Sequence, residues 1–159
     1  MNEEAKKKLL RMIPHALYVL TSKADGKTAA STVSWVTQAS FHPPLVAVGL
    51  KKDSHTFEVV KHAKSFVLNF LGKDQKDIAQ KFFKHVEPEG NLLGGEIFQE
   101  SPVLKHPIFP KMAGFVECRV KEMVDQGDHT LVVAEVLEAE GGTVEGPLLL
   151  SSTGWNYGG

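Results

Sequence analysis

Short apolar segments alternate with turn residues along the first half of the chain, and this pattern predicts strands joined by tight turns. Two segments rich in β-forming residues, Ala16–Ser22 and Lys27–Phe41, flank the dipeptide Asp25-Gly26. Such a pair of segments around an Asp-Gly dipeptide favours a β-hairpin. Two further apolar segments, Leu45–Leu50 and Ser65–Leu71, are typical of buried strands.

The second half of the chain contains the clearest alternation. Phe115–Val124 places apolar and charged side chains on opposite faces, as a half-solvated antiparallel strand does. The apolar face is expected to carry Val116, Cys118, Val120 and Val124, and the solvent face Glu117, Arg119 and Lys121. A turn at Gly127-Asp128 leads into the apolar strand His129–Leu137, and Leu148–Ser151 predicts one more short strand.

Three helices are predicted around these strands. Residues 2–13 form an amphipathic pattern that turns Leu9, Leu10 and Ile13 inward and ends at Pro14. The second helix covers Asp53–His62, with Asp53 or Ser54 as its N-cap, and the third covers Asp74–Lys84. Residues 85–110 contain many glycines and prolines and predict an irregular excursion.

The number and order of these elements indicate the fold class. Roughly six strands with short helices at the edges predict a mainly β protein built as a small closed antiparallel barrel. Strands and helices do not alternate regularly, which argues against a doubly wound parallel sheet. A length of 159 residues corresponds to one domain over residues 1–159.

Composition and charge narrow the possible functions. The net charge of −1 excludes the broad basic surface of a nucleic-acid-binding protein. The apolar runs are far shorter than the roughly 20 residues that span a bilayer, and the N-terminus lacks a signal-peptide pattern, so we expect a cytoplasmic protein without a membrane partner. The single cysteine, Cys118, provides neither an intramolecular disulfide nor a thiolate zinc site. The seven histidines show no metal-binding spacing, so no metal is expected.

The segment Thr28–Phe41 is the first candidate for ligand binding. In one extended strand, Val33, Trp35, Ala39 and Phe41 share a face, and Thr32, Ser34, Val36, Gln38 and Ser40 share the other. Short hydroxyl side chains in a row can hydrogen-bond a polar ligand and let a flat ring approach the backbone. A solvated strand face would have the same composition, since Ser and Thr are common on strands.

Two further segments carry candidate chemistry. Lys51–Phe57 combines lysines and hydroxyls with a helix start, where free N–H groups favour an anion such as phosphate; an ordinary N-cap beside two solvated lysines is the alternative. His129 follows a Gly-Asp turn and can donate or accept a proton; the alternative is a simple loop histidine. Neither Gly-x-Ser-x-Gly nor Gly-x-Gly-x-x-Gly occurs, and Cys118 is expected to be a core residue.

Three segments in this order, TVSWVTQASFHPPLVAVGL, KKDSHTFEVVKHAKSFVLNFL and GDHTLVVAEV, resemble the flavin reductase-like family of FMN-binding split barrels. The resemblance is greatest to its flavoredoxin-like branch and to the small reductase components of two-component monooxygenases. It covers the chain from about residue 10 to the C-terminus. The combination of Trp-x-Thr-Gln, Pro-Pro-Leu, Lys-Lys-Asp-Ser and Gly-Asp-His is specific, whereas each motif alone is weak.

The resemblance implies a homodimer of six-stranded split barrels with FMN bound near the interface, FAD being the alternative flavin. The ring and ribityl chain would contact Thr32, Val33, Ser34, Trp35, Val36 and Thr37, the phosphate would contact Lys52, Ser54, His55 and Thr56, and Trp155 would shelter the flavin. His129 matches the histidine that the reductases place near the nicotinamide. For the terminal TGWNYGG, simple packing is an equally good interpretation.

The implied activity is hydride transfer from NADH or NADPH to FMN, with the reduced flavin passed to a monooxygenase or other redox partner. The alternative is a flavoredoxin-like carrier that takes electrons from a protein and has no NAD(P)H activity. Two departures bear on this choice. Lys51-Lys52 stands where many reductases have an arginine, and the C-terminal TGWNYGG differs from the usual reductase ending.

Overall fold

The computed structural model describes residues 1–142 and 146–159. The helices are α1 (Glu3–Leu10), α2 (His55–Ala63) and α3 (Lys76–Lys81), and a 3-10 turn covers Leu150–Ser152. The longer strands are β1 (Tyr18–Ala24), β2 (Lys27–Val33), β3 (Val36–Ser40), β4 (Leu45–Lys51), β5 (Ser65–Phe70), β10 (Gly114–Asp125) and β11 (His129–Gly141). Four two-residue strands lie between α3 and β10: β6 (Leu92–Leu93), β7 (Glu96–Ile97), β8 (Gln99–Glu100) and β9 (Pro107–Ile108). None of the described helices is long and apolar enough to cross a membrane.

Within the described residues, seven strands form one antiparallel sheet in the order β2-β1-β5-β10-β11-β4-β3. Each strand of the sheet contributes to one apolar cluster, from Val33 on one edge strand through Leu68 in the centre to Val36 on the other edge. Because both edge strands contact this one cluster, the sheet curves around it into a barrel that is split between β2 and β3. The predicted mainly β split barrel is confirmed. The sheet has seven strands, because Lys27–Phe41 forms two strands that lie on opposite edges.

Local turn and cap signals place most elements where the sequence predicts them. The β1–β2 hairpin turns at Asp25-Gly26, with Ala24 opposite Lys27. Ser54 is the N-cap of α2, and its Oγ accepts a hydrogen bond from the N–H of Phe57 at 3.1 Å. The third helix is shorter than predicted, since its last residues pass into a turn that carries Phe82 into the core.

Two predictions about the ends of the chain are wrong. Leu9, Leu10 and Ile13 are exposed rather than inward, because α1 lies outside the barrel and none of its eight residues is buried. The expected strand Leu148–Ser151 is also wrong. Leu149 makes an isolated bridge to Ala16, and the chain then enters the 3-10 turn, so no ladder forms.

Strand β10 is confirmed, but its simple alternation is wrong. Glu117 was expected on the solvent face and is fully buried, whereas Val124 was expected inward and is exposed. Register shifts at Glu117/Cys118 and Val120/Glu122 interrupt the two-residue period. The buried carboxylate accepts hydrogen bonds from Ser101 Oγ at 2.6 Å and from the N–H groups of Val103 and Leu104 at 3.0 and 2.6 Å. These bonds tie the irregular excursion to the barrel.

Candidate functional site

A cavity of about 530 Å³ opens between β2, the start of α2 and the C-terminal residues. Its walls are formed by Leu17, Ser31, Thr32, Val33, Ser34, Trp35, Gly49, Leu50, Lys51, Ser54, Thr56, Phe82, Phe83, Leu150, Trp155, Asn156 and Tyr157. Hydroxyl groups and one lysine are grouped on the β2 and α2 side, while aromatic rings close the other sides. This combination suits a ligand that has a flat apolar part and an anionic part.

The interruption between β2 and β3 shapes the cavity wall. The carbonyl of Trp35 accepts a hydrogen bond from the N–H of Gly49 at 2.9 Å, and a Cβ at Gly49 would lie 3.2 Å from the Trp35 ring. Glycine at this position therefore lets the indole lie directly against β4. The prediction that the side chains from Thr32 to Ser40 share one face of a single strand is wrong, because β2 ends at Val33 and β3 begins at Val36. Val36 packs against the core, and Gln38 is exposed on β3.

The hydroxyl-rich end of the cavity is built on fixed elements. The hydroxyls of Ser31 on β2 and Thr56 in the first turn of α2 are hydrogen-bonded to each other. Ser54 caps the helix, and its Oγ also donates to the carbonyl of Lys51 at 2.7 Å. The first N–H groups of a helix have no acceptor within the helix, so together with Lys51 they form an environment that favours an anion.

Two residues predicted to hold the phosphate lie outside the cavity lining. Lys52 forms an ion pair with Asp125, and this contact holds the pKa of the Asp125 carboxyl below its usual range. The His55 side chain contacts the backbone of β2 outside the cavity, where its Nε2 lies 3.2 Å from the carbonyl oxygen of Thr28. The neighbouring Lys51 is the lysine that lines the cavity, 3.4 Å from Asp53.

His129 lies at the rim of the cavity, at the start of β11. Its Nδ1 is 2.8 Å from an Asp128 carboxylate oxygen, and its Nε2 is 2.7 Å from the hydroxyl of Tyr157. The imidazole contacts the Trp35 ring at a centroid distance of 4.5 Å. Hydrogen bonding to His129 holds the pKa of the Asp128 carboxyl below its usual range, so this group is ionised near neutral pH.

The C-terminal residues close the aromatic side of the cavity. The Trp155 ring packs edge-on against Phe83 at 4.6 Å, and the Lys76 ammonium lies 5.0 Å from its centroid. Tyr157 packs against Trp35 at 5.1 Å, and burial raises the pKa of its phenol. The terminal residues thus connect α3 on one side of the cavity with His129 on the other.

The structure brings most predicted site residues together. Those that line the cavity are Thr32, Val33, Ser34, Trp35, Ser54, Thr56 and Trp155, and those outside its lining are Val36, Thr37, Lys52, His55 and His129. His129 still contacts two lining residues, Trp35 and Tyr157. Sequence reasoning missed Ser31, which lies beside Thr32, and it left open whether Lys51 or Lys52 supplies the charge; Lys51 is the one that lines the cavity. Phe82 and Phe83 had no local signal, because they reach the site only through the packing of α3.

Covalent or metal chemistry has little support at this site. Burial, followed by the nearby Glu117 carboxylate, raises the pKa of the Cys118 thiol to about 12, so it is a neutral core group. In the described residues, no three His, Cys, Asp or Glu side chains are grouped to hold a metal ion. What the cavity offers is a binding surface of hydroxyls, aromatic rings and a lysine.

Comparison with known proteins gives a consistent result. The family model described as "Flavin reductase like domain" matches residues 10–157. A Rhizobium meliloti (strain 1021) protein named "Probable flavin reductase" is 30% identical over 80% of this chain and 40% of its own length. The reductase component of a 4-nitrophenol 4-monooxygenase/4-nitrocatechol 2-monooxygenase from Rhodococcus opacus is 32% identical over 79% of this chain and 65% of its own length. The chain thus spans less than two thirds of either relative.

A solved structure gives the same fold. Nitrilotriacetate monooxygenase component B from Mycobacterium thermoresistibile superimposes with a TM-score of 0.81 over 93% of this chain and 82% of that chain, at 22% sequence identity. At that identity the likeness concerns the fold alone. The family match, by contrast, covers nearly the whole chain and includes both the hydroxyl-rich end and the His129 rim of the cavity. The chain therefore belongs to the flavin reductase-like domain family.

Proposed function

We propose that this chain is a cytoplasmic FMN-binding flavin reductase that transfers hydride from NADH or NADPH to flavin. The cavity carries this proposal, because its hydroxyl-rich end and its aromatic walls match the two chemically different parts of FMN. Its volume of about 530 Å³ falls in the range of roughly 300–1,000 Å³ that is usual for cofactor sites. One compact anion-binding end favours FMN over FAD, which has a second phosphate and an adenosine to place.

The residues divide between the parts of the cofactor. Lys51, Ser54 and Thr56 would hold the phosphate, through the lysine charge and the start of α2. Thr32, Val33, Ser34 and Trp35 would hold the ring and ribityl chain, and Trp155 would cover them. For the predicted residues outside the lining, Val36, Thr37, Lys52 and His55, any contribution would be through the backbone or through neighbouring residues.

When bound, FMN supplies the redox chemistry itself, since it takes up the hydride that the nicotinamide gives up. The protein then needs to bind and orient both rings and requires no acid–base dyad, which agrees with the absence of a nucleophile motif in the sequence. His129 would hydrogen-bond the nicotinamide carboxamide from the rim. Asp128 would orient the imidazole through Nδ1, so that Nε2 is the nitrogen that the donor would use in place of the Tyr157 hydroxyl.

A homodimer is part of the proposal. Two large side chains that line the cavity remain partly exposed in the single chain: Phe83 at 52% and Tyr157 at 45%. A second subunit would cover such a rim and exclude water from the reduced flavin. The reduced flavin would pass to a monooxygenase or another redox protein. Sedimentation at micromolar concentration tests the dimer, and a mass near 17 kDa would refute it.

The second candidate is an electron carrier whose FMN is reduced by a protein. One observation favours it, namely that Tyr157 already occupies the ring nitrogen of His129 that a nicotinamide would use. Purified protein is expected to be yellow and to release FMN rather than FAD in mass spectrometry. Anaerobic mixing with NADH or NADPH should then bleach the flavin absorbance. A yellow protein that neither nucleotide reduces would favour the carrier, and a colourless protein that takes up no flavin would overturn both.

A further inference from the structure

His129 has no ring nitrogen left over for a second ligand. The Asp128 carboxylate, being ionised, can only accept a hydrogen bond, so Nδ1 of His129 carries the proton that it donates over 2.8 Å. In the neutral imidazole Nε2 is then an acceptor, and it accepts from the Tyr157 hydroxyl at 2.7 Å. A nicotinamide carboxamide can bond to His129 only after this hydroxyl leaves.

The segment that carries Tyr157 is held by ring packing of Trp155 and Tyr157 and by exposed hydrogen bonds at Tyr157 and Gly158. Thr153 is the last buried residue, since it is 4% exposed, and its Oγ1 donates to the carbonyl of Leu150 at 2.7 Å. Gly154 and Gly158 follow on either side of the aromatic residues with φ of +80° and +85°, in the region that favours glycine. Beyond them, the carbonyl of Gly158 accepts an exposed hydrogen bond from Arg11 Nε at 3.1 Å.

The ring of Tyr157 also occupies space beside the flavin site. It packs on the Trp35 indole and lies 5.9 Å from the His129 ring, centroid to centroid. Because Trp35 and Tyr157 both line the cavity, the phenol fills the rim position between the cavity and the imidazole. A planar nicotinamide that reaches His129 from the cavity would need this same position.

We propose that Tyr157 determines access of the hydride donor by occupying its place at His129 until the donor displaces residues 156–159. This inference rests on the proposed function and deepens it. The Tyr157 hydroxyl acts as an internal competitor, so that the measured affinity for NADH or NADPH includes the loss of its hydrogen bond to Nε2. A neutral hydrogen bond of this kind corresponds to a change of about two- to twelvefold in affinity.

Tyr157→Phe tests the proposal, because it removes only the hydroxyl and keeps the ring on Trp35. The probes are tetrahydro analogues of NADH and NADPH, which cannot donate hydride, titrated calorimetrically into the FMN-loaded protein. We expect Tyr157→Phe to bind the analogue of the preferred nucleotide about two- to twelvefold more tightly, with unchanged FMN affinity. Tyr18→Phe is the matched control, since Tyr18 is the only other tyrosine and packs on Phe70 in the barrel.

A second readout does not depend on flavin. The ring nitrogen chemical shifts of His129, measured by NMR, should show Nε2 losing a hydrogen bond in Tyr157→Phe and keeping it in Tyr18→Phe. Arg11→Ala, which removes the contact to the Gly158 carbonyl, should also tighten analogue binding, because it loosens the terminal segment.

The outcomes separate this inference from the proposed function. If NADH or NADPH reduces the parent and Tyr157→Phe binds the analogue no more tightly, the inference is wrong and the reductase proposal stands. An Nε2 shift that is the same in parent and Tyr157→Phe would also overturn it. If parent and variant bind neither analogue and neither nucleotide reduces the flavin, both proposals are wrong.

Discussion

Two histidines of this chain have partners at both ring nitrogens, and the nature of those partners differs. His106 is 3% exposed; its Nδ1 accepts from the N–H of Lys23 at 3.0 Å and its Nε2 donates to Ser65 Oγ at 2.6 Å. His129 lies at the cavity rim, and its partners are the side chains of Asp128, which is 90% exposed, and Tyr157, which is 45% exposed. Strands β1 and β5 therefore fix the first imidazole, whereas groups that can move away hold the second.

The surroundings of each histidine extend this contrast. Around His106, the Ser101 hydroxyl donates to Glu117 on β10 and accepts from the N–H of His106, while both ring nitrogens bond to groups on the barrel strands. Such a network stabilises one arrangement and offers nothing to a ligand. Around His129, the same chemistry is arranged at a surface where a ligand can replace one partner. Burial of the partners, rather than the residue type, distinguishes the structural His106 from the candidate functional His129.

The largest expected effect comes from removing the buried Glu117 carboxylate, which Ser101 connects to His106. Glu117→Ala should lower the free energy of unfolding by about 3–5 kcal/mol, because the Ser101 hydroxyl and two backbone N–H groups lose their buried acceptor. Chemical denaturation measures the change. Glu122→Ala removes an exposed carboxylate from the same strand and should change stability by less than about 0.5 kcal/mol. Equal stability of both variants would mean that other contacts hold residues 101–104.

The hydroxyl-rich end of the cavity is built on fixed elements and is open to a ligand. Substitutions there should therefore change FMN affinity more than the stability of the fold. Replacing Ser54 and Thr56 together with Ala should weaken FMN binding by roughly 2–5 kcal/mol, since hydrogen bonds to a charged phosphate contribute about 1.5–3 kcal/mol each. The fold should persist with the loss of one helix cap, about 1 kcal/mol. Fluorescence titration with FMN gives the dissociation constant, and Ser40→Ala on β3 is the control. An unchanged constant would assign Ser54 and Thr56 to capping alone.

His106 should make stability depend on pH over a defined range. Burial, more than its charged neighbours, lowers the pKa of this imidazole to about 4, from about 6.5 in the unfolded chain. Above pH 6.5 both states are neutral and the contribution is complete. Between pH 6.5 and about 4 only the unfolded chain takes up the proton, so stability falls by about 2–3 kcal/mol and then levels off.

His106→Asn tests this assignment, because it removes the titrating group. The difference in unfolding free energy between parent and variant should shrink steadily as the pH is lowered from 6.5 to 4. A constant difference over that range would show that other groups cause the pH dependence. His129, with its exposed partners, is expected to give no comparable loss on replacement.

Local signals in the sequence were sufficient for much of the fold. The Asp25-Gly26 hairpin, the Ser54 cap and the strands β4, β5 and β11 follow from turn chemistry and apolar runs, which act over a few residues. The burial of Glu117 could not be predicted, because its hydrogen-bond partners lie 13–16 residues earlier in the chain, in an irregular segment. The exposure of Leu9 and Leu10 could not be predicted either, since an amphipathic pattern does not reveal which surface it faces.

The site was predictable in outline and not in its details. The hydroxyls near Thr32 and the helix start at Ser54 were named from composition and capping, and both line the cavity. Which of Lys51 and Lys52 lines the cavity depends on Asp125, the last residue of β10, because Asp125 forms an ion pair with Lys52. The contact between His129 and Tyr157 joins residues 28 positions apart across an irregular ending, and no periodicity could indicate it.

The smallest expected effect concerns the rim, and it is the sharpest test of the contrast between the two histidines. His129→Ala should lower the efficiency of flavin reduction by NADH or NADPH about two- to twelvefold, as expected for one neutral hydrogen bond of about 0.5–1.5 kcal/mol. FMN affinity and stability should change little, because the partners of His129 are exposed side chains and the flavin contacts lie elsewhere. Anaerobic stopped-flow traces of FMN-loaded parent and variant measure the rate directly.

The double variant His129→Ala/Tyr157→Phe completes this test. If Tyr157 competes with the donor only through Nε2, then removing its hydroxyl should have no further effect once the imidazole is absent, and the two changes should be non-additive. Additive effects would mean that the Tyr157 hydroxyl acts on the donor independently of His129. If the His129→Ala and parent traces superimpose, His129 serves only as an anchor for the terminal segment, and the protein-reduced carrier becomes the better account of the chain.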